Sequence, residues 1–140
     1  MIDKKTEADI KSVKSFLELW AKLHSIYDGT ISKGTITKDD EYKFLDTKRI
    51  LRDKYATMKN GLEFKYMPHG RLTDPVNEIL ALENILFMSE KHLKKVEEDW
   101  RDSYIFLNNI LERLKDKKRR IEEFNPVGAF FKRIFAGRST

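Results

Sequence analysis

Apolar and aromatic positions recur at helical spacing along most of this chain. Behind Thr6 and Asp9, which read as a capping box with the shorter acid, Ile10, Val13, Leu17, Trp20 and Tyr27 share a face, with His24 in the remaining slot. This stripe predicts a first helix that stops at Asp28-Gly29, followed by a loop rich in Gly, Thr and Ser through Thr37. Thr37 and Asp40 repeat the capping pattern. Phe44, Leu51, Tyr55, Met58 and Leu62 then line one face of a second helix, ended by Asn60-Gly61. From Leu62 to Thr73 the spacing is not helical, and Leu62 to Tyr66 alternates as an extended segment does. That stretch reads as an ordered connector laying Phe64, Tyr66 and Leu72 on the bundle. Asp74-Pro75 is a strong helix start, because an Asp N-cap satisfies free amides and Pro at the first helical position gives up a donor that had no partner.

After Pro75 the pattern becomes more regular. Ile79, Leu86, Leu93, Trp100, Leu107, Leu114 and Ile121 are spaced by seven, with Leu82, Ser89, Val96, Ser103, Ile110, Lys117 and Phe124 three positions further on. Neither Gly nor Pro falls between Pro75 and Pro126. The leading reading is one unbroken helix over 75–124, roughly 75 Å long at about 1.5 Å per residue. The alternative is an up-down four-helix bundle with a break near 97–103. An unbroken helix would outrun the first two and leave Leu107, Ile110, Leu111 and Leu114 bare, so it predicts self-association, most simply as a dimer. The assembly seam would be Leu93, Val96, Trp100, Leu107, Ile110, Leu114 and Ile121.

The fold class is therefore all-α: an antiparallel bundle of three helices with a long, coiled-coil-like third, in one domain over 1–124. A C-terminal tail over 125–140 carries a short amphipathic helix. Composition narrows this picture. A chain of 140 residues with six Gly, three Pro and no Cys is too short for several domains and lacks the material of disulfide scaffolds, Cys-ligated zinc sites and turn-rich β-sandwiches. The start, Met1 to Glu7, has no apolar signal region, and the chain is read as cytoplasmic.

Charge changes the picture more. The net +5 is not spread evenly: residues 1–112 hold 19 basic and 20 acidic side chains, residues 113–140 hold 9 basic and 3 acidic. The densest run is Arg113, Lys115, Lys117, Lys118, Arg119 and Arg120, more cations than complementing a helix C-terminus requires. Beyond Asn125-Pro126, Val127, Phe130, Phe131 and Ile134 would share a helical face, with Lys132 and Arg133 opposite and Phe135 at the margin. Such a segment fits three roles: folding back on its own bundle, docking a protein partner, or lying on an anionic membrane.

Catalytic chemistry finds no foothold. The bundle metal pattern needs Glu-x-x-His, and His24, His69 and His92 all lack it. His24, on an apolar stripe, reads as a hydrogen-bonded core histidine. Phosphate loops and nucleophile elbows are missing, and Asp39-Asp40-Glu41 reads as a solvated helix start. Ser89 and Ser103 read as points of close helix approach, and Lys117 as the place where the seam frays. No cofactor, metal or catalytic residue is assigned. The expectation is a non-catalytic interaction or scaffold protein, self-associating through the seam and docking an unknown protein partner with Lys117, Lys118, Arg119, Arg120 and the tail. Attachment to a membrane surface is the alternative, and non-specific nucleic-acid binding by the basic run is a third.

Overall fold

The computed structural model describes residues 3–62, 74–86 and 88–124, and among these the chain is all-α. Four helices follow in order: α1 (Lys4–Ser32), α2 (Lys38–Gly61), α3 (Pro75–Leu80) and α4 (Glu90–Phe124). The connector 63–73, with Phe64, Tyr66, His69 and Leu72, and the tail 125–140 lie outside the described residues.

α1 is the central helix. Its N-cap is Asp3, three residues earlier than the Thr6 expected, and Thr6 is instead buried, its hydroxyl donating to the Asp3 carboxylate. The helix also runs past Asp28-Gly29 to Ser32, because a glycine inside a helix costs only its propensity, about 1 kcal/mol, while Tyr27 and Thr30 on either side of Gly29 are buried. The turn that does end it uses Gly34, the one described residue with positive φ (74°). The buried face is Val13, Phe16, Trp20, Leu23 and Tyr27, so Phe16 and Leu23 carry the core more than Ile10 and Leu17, which are half-buried.

α2 starts at the Thr37/Asp40 capping box with both reciprocal hydrogen bonds at 3.1 Å, and its predicted face, Phe44 to Leu62, is buried throughout. α1 packs on α2 through Phe16 against Tyr55 and Tyr27 against Phe44 (ring centroids 5.3 and 5.8 Å). α1 packs on α4 through Trp20, His24 and Tyr27, all against Trp100 at 4.5–5.7 Å. The α1–α2 pairs run in opposite senses, and along α1–α4 Asp3 faces Lys117 while Trp20 faces Ser103, so both partners are antiparallel to α1.

The unbroken helix over 75–124 is not what forms, and neither is a break near 97–103. The helix is interrupted between Leu80 and Glu90, leaving a six-residue α3 and a 35-residue α4. Its cause is side chains on α2. Lys48 donates to the Leu82 carbonyl, Arg52 to the Leu80 carbonyl at 2.8 Å, and Glu41 accepts the amides of Ile85 and Leu86, both at 2.9 Å. At the other end Tyr55 and Lys59 donate to Asp74, which caps α3 as predicted by accepting from Val76 and Asn77. Residues 41, 48, 52, 55 and 59 are thus one polar stripe that stitches the segment 74–86 along α2. Backbone groups released by the break are satisfied in trans, which removes the usual penalty for interrupting a helix. Ser89, expected at a helix approach, is exposed and caps α4 by accepting from the His92 amide at 3.1 Å. Glu41, expected on a solvated face, is a half-buried ligand of two amides.

α3 and the turn after it lie between α2 and α4, whose backbones do not approach each other closely among the described residues. The seven-residue repeat survives the break because α3 and α4 bury their apolar sides against the same core: Ile79, Trp100, Leu107 and Leu114 are all nearly inaccessible.

Candidate docking surface

The expected assembly seam lies inside the chain's own bundle. Val96, Trp100, Leu107, Ile110 and Leu114 are buried, Leu93 and Ile121 are half-buried, and Leu111 is buried as well. Self-association through this seam requires a bare stripe from Leu107 to Leu114. That stripe is not bare, because α4 starts at Glu90 rather than Pro75 and its length is matched by the 29 residues of α1.

The centre of this seam is an aromatic and polar cluster. Trp20 Nε1 donates to Ser103 Oγ at 2.8 Å, and Ser103 donates to the Trp100 carbonyl at 2.6 Å, so Ser103 marks close helix approach as its position implied. His24 is half-buried and stacked on Trp100, with Nδ1 3.1 Å from the Tyr104 hydroxyl and Nε2 3.4 Å from Asp28. It is a hydrogen-bonded packing histidine. The Tyr27 hydroxyl and Trp100 Nε1 are buried without a hydrogen-bond partner among the described residues. Burial pushes the Tyr27 phenol well above its ordinary range, with Glu97 and Asp28 adding to the effect. Such a cluster supports packing and has no nucleophile with a base beside it. Among the described residues no group of three or more His, Cys, Asp or Glu is placed to hold a metal ion.

The basic run is built differently from its sequence appearance. Past Leu114 the seam reaches Lys117, which is half-buried and lies 4.0 Å from Asp3 at the start of α1. Lys118 reaches Glu7 at 3.5 Å and Glu122 at 3.9 Å. Arg119 pairs with Asp116 at 2.7 Å and Lys115 with Glu112 at 3.5 Å. Asp3 is held below the usual carboxylate range chiefly by its hydrogen bonds from Thr6, with Lys117 contributing. The run therefore closes the end of the bundle as well as displaying charge. The role of Asp3 and Glu7 was missed because their partners lie more than a hundred positions away. Arg113, Arg119 and Arg120 remain exposed, and ion pairs this open are worth about 0–1 kcal/mol each, so an anion in solution competes with them readily. Phe130, Phe131, Lys132, Arg133, Ile134 and Phe135 fall outside the described residues.

Comparison with known protein families, curated proteins and solved structures finds no match. Among the described residues, no helix is long and apolar enough to cross a membrane.

Proposed function

We propose that the protein is a non-catalytic helical interaction module whose body is closed within one chain and whose C-terminal segment docks an acidic protein partner. The observation that carries this reading is the contrast between the middle of α4 and its C-terminal part. Its middle, Trp100 to Leu114, is consumed by the chain's own core, whereas Arg113, Arg119 and Arg120 stay exposed just before a tail with three more cations and four large apolar side chains. In this reading Lys117, Lys118, Arg119 and Arg120 attract the partner, and Phe130, Phe131, Ile134 and Phe135 anchor it, each buried Phe contributing about 2 kcal/mol.

A polybasic run beside an amphipathic aromatic segment also supports a second reading, attachment to an anionic membrane surface by two weak signals. Affinity purification of the full chain and of a chain ending at Phe124 tests the first reading. A stoichiometric, salt-sensitive protein partner retained only by the full chain supports it, and the same partners on both chains refute it. Flotation of the same two chains with phosphatidylserine vesicles tests the second, which requires the full chain alone to float.

A further inference from the structure

α1 carries a second surface, on the flank turned away from α4. Ser15 stands nine residues before His24, two and a half turns at about 3.6 residues per turn, so it points opposite to the side chain that meets Tyr104. There α1 and α2 enclose an open groove of about 330 Å³ with Phe16, Leu19 and Met58 at its floor and Ser12, Ser15, Lys54 and Thr57 around it.

Three observations bear on its occupant. First, no described carboxylate lines the groove, although the chain carries 23 of them. Second, Lys54 is exposed and makes no ion pair or hydrogen bond with a described residue, and the same holds for Lys11 and Lys22, one turn to either side of Ser15 and Leu19 on α1. Third, the hydroxyls of Ser12 and Ser15 make no hydrogen bond with a described residue, whereas Thr47 and Thr57 on α2 bond back to carbonyls of their own helix at 2.9 and 3.0 Å.

The geometry points to the α1–α2 groove as a docking site for an acidic amphipathic helix of a partner protein. Two antiparallel helices present the ridge-and-groove surface on which a third helix packs, with apolar side chains at i, i+3 and i+7 entering over Phe16, Leu19 and Met58. The span from Lys11 to Lys22 is about 16 Å along the helix, so the docked segment is about three turns long and carries carboxylates at both ends, with one facing Lys54 across the groove. This site is independent of the C-terminal segment: it uses neither α4 nor the tail.

The test is residue-resolved NMR of the labelled full chain titrated with a stapled 14-residue helical peptide bearing a Leu stripe flanked by Glu. Two control peptides replace Glu by Lys or Leu by Ser, and sodium dodecanoate probes a lipid-like occupant. The expected result is saturable shifts centred on Ser12, Ser15, Leu19 and Thr57 with the first peptide alone. In the folded variant Lys54→Glu the affinity drops by about tenfold. Equal shifts with Glu and Lys peptides, shifts confined to residues after Glu112, shifts with dodecanoate instead, or no shifts would each overturn the proposal. Loss of groove binding with tail-dependent partner capture intact separates the failure of this site from that of the C-terminal one.

Discussion

The carboxylate of Glu41 lies 2.9 Å from the backbone nitrogen of Ile85, 44 positions along the chain, and the same oxygen accepts the amide of Leu86. A side chain in the first turn of α2 therefore holds open the turn that separates α3 from α4. Removing it leaves two part-buried amides without their charged acceptor. Glu41→Ala is expected to lower stability by about 2 kcal/mol, and Glu41→Gln, which keeps an acceptor oxygen, by less than half as much. Urea unfolding of the three chains followed by circular dichroism checks both values, and equal losses would show that accepting the amides is not what Glu41 contributes.

Two tyrosines of the core are expected to respond oppositely to loss of their hydroxyl. Tyr55 donates to the Asp74 cap at 2.5 Å, so Tyr55→Phe weakens the start of α3 and costs about 1 kcal/mol. The Tyr27 hydroxyl is buried without a partner among the described residues, so Tyr27→Phe removes an unpaid desolvation cost and leaves stability unchanged or raised by up to about 1 kcal/mol. Thermal denaturation of the pair decides this, and a Tyr27→Phe protein less stable than Tyr55→Phe contradicts the packing described.

Acid sensitivity follows from two caps. The carboxyls of Asp3 and Asp40 are both held below their ordinary range, Asp3 mainly by Thr6 and Asp40 mainly by the Thr37 amide and Lys33. A depressed folded-state value means that the stabilisation is full above the unfolded carboxylate range, near pH 4, and is lost as pH falls through the lower folded values. Stability measured from pH 6 down to pH 2 should fall below about pH 4, and Asp3→Asn with Asp40→Asn should flatten that fall. An unchanged slope in the double variant would remove the two caps as its source.

Much of the fold was legible locally and one decisive part was not. The Thr37/Asp40 box, the α2 face from Phe44 to Leu62 and the Asp74-Pro75 start are all set by neighbours within a few residues, and each is found where the spacing puts it. The break after Leu80 carries no Gly or Pro, and its local marks, Asn84 and Ser89, are weak beside an uninterrupted seven-residue repeat. Its chemistry comes from Glu41, Lys48 and Arg52, whose spacing along α2 gains meaning only once α3 lies beside it. The docking surface divides in the same way. The excess charge of Arg113 to Arg120 is visible in the chain, but its partial neutralisation by Asp3 and Glu7 and the α1–α2 groove are products of helix packing.

The most direct measurement is the molar mass of the full chain in solution at about 50 μM, by light scattering coupled to gel filtration. A chain that fills its own α4 seam and keeps its C-terminal segment for a different partner predicts 16.6 kDa, independent of concentration. A stable mass of twice that, abolished by polar substitution at Leu107 or Leu114 without loss of helical content, would contradict the account by showing that α4 is shared between two copies.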